Sequence, residues 1–124
     1  MDEPLFEREF GRSYRIPKAI LKMVNTGELV DTSWHNDSCP TFTTPLTPVG
    51  SVSLWVNHPN PRTRQIEYHA DADDAPHIER YGVGVNGTCG DIVWDMPTDD
   101  LRTAIRVLRE KVAEIATAEG LVTD

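Results

Sequence analysis

SVSLWV, residues 51–56, decides the fold. Val52, Leu54 and Val56 recur at every second position and share one face of an extended segment, with Ser51, Ser53 and Trp55 on the other. This is the pattern of a half-buried β-strand, and its apolar face needs a second layer to cover it. Residues 98–118 supply one. Leu101, Ile105, Leu108, Val112 and Ile115 lie at helical spacing and form one apolar stripe. Thr98 is the expected N-cap, and Asp99 and Asp100 fall where the helix dipole favours negative charge. Gly120 marks the expected end.

Working outward, Leu29–Trp34 is rich in β-branched and aromatic residues and predicts a first strand. Pro40, Pro45 and Pro48 confine residues 40–48 to an edge or a loop, since proline cannot donate to a ladder. His58-Pro59-Asn60-Pro61 forces a turn. Arg64–His69 reads as a strand with Ile66 and Tyr68 on one face, and 70–76 as an acidic loop. Ile78–Val85 predicts another strand, in which Gly82 and Gly84 signal a bulge or a close backbone approach. Asn86-Gly87 is a hairpin turn, and Cys89–Asp95 returns on Ile92, Val93 and Trp94.

Before the first strand, Pro17 fits the N1 position of a short helix over 17–25, which Asn25-Thr26-Gly27 stops. Residues 1–15 suit a short helix or an arm laid over another surface. Close-set strands without intervening helices imply an antiparallel sheet. The expected architecture is therefore α+β: about four or five antiparallel strands, covered on one face by a long C-terminal helix and a short N-terminal one. Residues 1–124 are expected to form one domain.

Hydrophobic content of 39% and charged content of 26% describe a chain that folds around a core. No run reaches the roughly 18 apolar residues of a membrane span, and MDEPLFEREF at 1–10 lacks the apolar region of a signal peptide. A cytoplasmic protein is expected, with Cys39 and Cys89 as free thiols.

The net charge of −8 is unevenly placed. Residues 1–24 sum to +1, residues 25–100 to −9 and residues 101–124 to zero. An acidic middle argues against direct nucleic-acid contact, which needs Lys and Arg to displace counterions. It suits instead a protein partner with a basic surface.

Several constellations could carry chemistry. His35 and Cys39 could form a thiolate pair, and His35, Cys39, His58 and His69 could furnish zinc ligands. His77 and Cys89 add two more potential ligands, but the spacings lack CxxC, HxH and HExxH, and Asn36-Asp37-Ser38 reads better as a turn. DADDAPHIE at 71–79 lacks the calcium-loop pattern, with Pro76 and Gly82 where Gly and Glu are required. GVGVNGTCG at 82–90 opens no helix and offers no phosphate cradle. Arg102, Arg106 and Arg109 form a basic stripe that reads as a solvated helix face, with Asp99 placed to pair with Arg102.

Trp55 is the sharpest signal. It stands opposite in phase to the apolar triad, on a sheet face that is ordinarily polar, and exposed tryptophan is enriched at binding hot spots. The sequence thus points to a non-enzymatic acidic module, an inhibitor or regulator, which binds a basic partner protein. Trp55, Glu67, Asp71, Asp73 and Asp74 are the expected binding residues, with no cofactor and a possible homodimer through a sheet edge. An enzyme using His35 and Cys39 with a second histidine is the alternative.

Overall fold

A computed structural model describes residues 4–34, 39–45, 47, 50–67, 78–87 and 91–118, with the side chains of 65–67 left aside. The elements run α1 (Leu5–Phe10), α2 (Lys18–Asn25), β1 (Val30–Asp31), β2 (Thr41–Thr43), β3 (Ser51–Val56), α3 (Pro61–Glu67), β4 (Tyr81–Asn86), β5 (Ile92–Thr98) and α4 (Leu101–Ala118). The five strands lie in the order β1-β2-β3-β4-β5, every neighbouring pair antiparallel. The α+β architecture expected from the sequence is the one observed.

The alternation in β3 does what its phase requires. Val52, Leu54 and Val56 are fully buried and pair with Val85, Val83 and Tyr81 of β4, while Phe42 of β2 faces Leu54 from the other side. Ala104, Val107 and Leu108 of α4 close over this face, joined by Ile20 and Met23 of α2 and Phe6 of α1. Full burial of an aliphatic side chain stabilises a fold by about 1.5–3 kcal/mol, so this two-layer core is the main source of stability. α1 is anchored twice: Phe6 meets Phe42 edge to face, with ring centroids 5.9 Å apart, and its backbone N–H donates to Asp31 Oδ2 at 2.9 Å.

Three expectations are corrected. The predicted strand over 64–69 is helical through Glu67, because Asn60 Oδ1 accepts the Arg62 N–H at 2.9 Å and caps a helix that Pro61 begins. The strand that replaces it lies in 40–48: Pro40 and Pro45 flank Thr41-Phe42-Thr43 and do not interrupt its ladder. At α4 the cap is Asp100, not Thr98. Asp100 Oδ2 accepts from the N–H of Thr103 at 3.2 Å and from its hydroxyl at 2.6 Å, while Thr98 ends β5.

Other boundaries shift modestly. β1 covers only Val30–Asp31 of the predicted 29–34, and β4 begins at Tyr81. β5 runs past Asp95 to Thr98, and Pro97 is tolerated because β5 is an edge strand. Val85 pairs with Trp94 and Asn86 with Ile92, so Val93 is the extra residue of a bulge. Cys89 lies outside the described residues.

Candidate functional site

The sheet face away from the helices is organised by hydroxyl and amide groups. Oγ1 of Thr32 and of Thr43 lie 2.9 Å apart, and Oγ1 of Thr43 lies 3.3 Å from Oγ of Ser53. Asn86 Nδ2 donates to Ser53 Oγ at 2.7 Å and to Ser51 Oγ at 3.2 Å. This chain of hydrogen bonds crosses three strand pairs, and Ser51 and Ser53 are buried within it.

Trp55 shares that face. It is half-buried and pairs with Gly82 of β4. Its benzo ring leans across β4 into space that side chains at Gly82 and Gly84 would otherwise fill. A Cβ at Gly82 would stand 2.8 Å from Trp55 Cε3, and one at Gly84 2.2 Å from Cη2. On the next strand, Pro97 lies opposite Gly82 and Asp95 opposite Gly84, so the glycine slots bring indole and β5 together.

A recess of about 220 Å³ opens beside this arrangement, lined by Trp55, Ile78, Glu79, Asp95, Met96 and Pro97 among others. The segment carrying Glu79 is held to the end of β3 by Asn57 Nδ2, which donates to the Glu79 carbonyl at 2.8 Å. No hydrogen bond or ion pair joins the Glu79 or Asp95 carboxylate to another of the described residues. The nearby Arg80 guanidinium is committed elsewhere. It donates to the carbonyls of Asn57, Tyr14 and Arg15 and lies over the Tyr81 ring. Burial pushes this group below its ordinary arginine value, Tyr81 opposes the shift, and Arg64 adds to it.

A second recess of about 310 Å³ lies between the C-terminal half of α4 and the turn before β3, lined by Gly27, Pro45, Val112, Ile115 and Ala116 among others. Its polar groups are engaged in structure: Glu28 binds Arg109, and the Thr44 hydroxyl accepts the Val52 N–H at 2.9 Å. A ligand site needs convergent polar groups on an apolar wall, and of these two recesses the one at Trp55 has them.

The other expected site residues are dispersed. Glu67 ends α3 with its side chain undescribed, and Asp71, Asp73, Asp74, His35, His69, His77 and Cys89 lie outside the described residues. Cys39 and His58 do come to the same end of the sheet, because Val56 N–H donates to the Pro40 carbonyl at 3.1 Å. Cys39 is only 2% exposed, and His58 Nδ1 accepts the Asn60 N–H at 3.0 Å. Arg64, buried beside them, donates Nη1 to the His58 carbonyl at 3.2 Å, while its Nε has no partner among the described residues. Among the described residues no group of three His, Cys, Asp or Glu is placed to hold a metal ion.

On α4, Arg106 pairs with Glu110 at 3.1 Å and Arg109 with Glu28 at 2.8 Å, both solvated, while Asp99 accepts the Arg80 backbone N–H. Among the described residues no helix is long and apolar enough to cross a membrane. Neither a protein family, nor a curated protein, nor a solved structure matches the chain.

Proposed function

We propose that this protein is a small acidic binding module that docks on a basic partner protein through its open, tryptophan-bearing sheet face. The observation that carries this reading is the Trp55 recess, where an indole stands beside two carboxylates that no cation of the described chain neutralises. The charge of −9 over residues 25–100 supports it, because a concentrated negative field accelerates encounter with a positive surface and orients it. A module of this kind acts as an inhibitor or regulator, occupying a basic surface that would otherwise bind phosphate groups.

Titration of the protein with a fluorescent hexa-arginine peptide, in low and moderate salt, tests the reading. Association is expected to weaken with salt, and to weaken again when Asp71, Asp73 and Asp74 are changed together to Lys. Binding indifferent to both would count against it.

A second reading concerns assembly. β5 is the longer of the two edge strands, and Ile92 and Val93 on it are 57% and 61% exposed. Antiparallel pairing of two such edges is the route by which this fold would form a homodimer.

A further inference from the structure

We infer that the Trp55 recess receives a single arginine side chain of the partner. This rests on the proposed docking through the open sheet face and names what that face recognises. At about 220 Å³ the recess falls below the usual range for drug-sized ligands and suits one long side chain. Its walls sort by chemistry. Ile78 and Pro97 are apolar and fit a methylene stem, while Glu79 and Asp95 carry the negative charge.

The indole decides between cations. A guanidinium is planar and weakly hydrated, stacks on an aromatic face and presents forked donors to carboxylates, whereas an ammonium is a compact, strongly hydrated point charge. Trp55 is fixed for such a role because the slots at Gly82 and Gly84 set where its ring lies. The protein already uses the same chemistry internally, with Lys111 Nζ 4.1 Å from the Trp94 ring centroid on the opposite sheet face. That cation belongs to α4, and the described residues place none over Trp55.

The test uses the full ¹⁵N-labelled chain and three capped pentapeptides, Gly-Gly-X-Gly-Gly, with X arginine, citrulline or lysine. The Trp55 indole N–H signal, assigned with Trp55→Phe, is the readout. The arginine peptide is expected to move it saturably and leave the Trp34 and Trp94 signals in place. Citrulline, which keeps the shape and loses the charge, is expected to bind at least about tenfold more weakly. A Glu79→Gln, Asp95→Asn double variant is expected to weaken arginine binding by a similar factor, its fold verified by an unchanged Trp94 signal. Equal binding of citrulline, or lysine matching arginine, overturns the assignment. If hexa-arginine binds the protein while the Trp55 signal stays still, the recess proposal falls and the broader docking reading stands. If hexa-arginine does not bind at all, both fall.

Discussion

A Cβ on Gly84 would stand 2.2 Å from the Trp55 ring, closer than any real contact, with β-sheet backbone behind it. Gly84→Ala must therefore push the indole out of its slot or distort β4. Overpacking of this kind destabilises by about 1–3 kcal/mol, which urea unfolding would measure. Removing the obstacle in advance should abolish most of the effect, so Gly84→Ala in a Trp55→Ala background is expected to cost much less. Equal costs in both backgrounds would mean that the glycine is required for another reason. Only part of this contact was legible beforehand. The phase of SVSLWV placed Trp55 on the open face, since a period of two leaves no other choice. The paired glycines suggested either a bulge or a close approach. The close approach is the one that applies at Gly82 and Gly84, whereas the bulge lies away from both, at Val93 of β5. Asp95 and Glu79 could not be found this way, because cross-strand register and the return of the 78–80 segment are not local properties of the chain.

Elements were readable in proportion to their length. α4 carries five stripe positions over four turns and its period is unambiguous, whereas Arg64–His69 offered only Ile66 and Tyr68, too few to separate period 2 from a helical turn. The deciding signal was Asn60-Pro61, which is a turn in one reading and an N-cap followed by N1 in the other. Asn60→Ala leaves the Arg62 N–H without its acceptor and is expected to cost about 1 kcal/mol, seen as faster amide exchange through residues 62–67. Unchanged exchange there would show that the cap does not hold α3. Between elements, the fork of Arg109 onto Glu28 ties α4 to the turn after α2, with Nε to Oε2 at 2.8 Å and Nη2 to Oε1 at 3.1 Å. The Arg109 hydrogen bond holds the Glu28 carboxyl below its ordinary value, partly opposed by burial. A carboxyl depressed in the folded state stabilises above its unfolded pKa, and that contribution is lost as pH falls through the folded one. Both groups are substantially solvated, so the pair is worth less than about 1 kcal/mol. Arg109→Gln should therefore lower unfolding free energy at about pH 7 and converge with wild type in acid, once the Glu28 carboxyl is protonated in both. A constant gap across that range would show that the arginine acts through packing.

At the scale of the whole molecule, two properties meet on β5. The edge is long and apolar at Ile92 and Val93, which invites strand pairing, yet Asp91, Asp95 and Asp99 flank it in a segment of net charge −9. Pairing two copies through this edge would bring like charges together across the two-fold axis, whereas docking a basic partner would bring opposite charges together. The two events therefore respond to salt with opposite sign. Screening shortens from about 10 Å at 0.1 M to 3 Å at 1 M, which relieves repulsion between copies and weakens attraction to a basic chain. Light scattering across that range should show the homodimer gaining population, while hexa-arginine binding, followed by anisotropy at a fixed protein concentration, falls away. Val93→Lys sharpens the contrast, because it places an amine on the exposed bulge without touching the core. It is expected to abolish salt-induced dimerisation and to leave the Trp55 recess able to respond to an arginine peptide. A dimer that dissolves in salt, or one that survives Val93→Lys, would assign self-association to a surface other than β5.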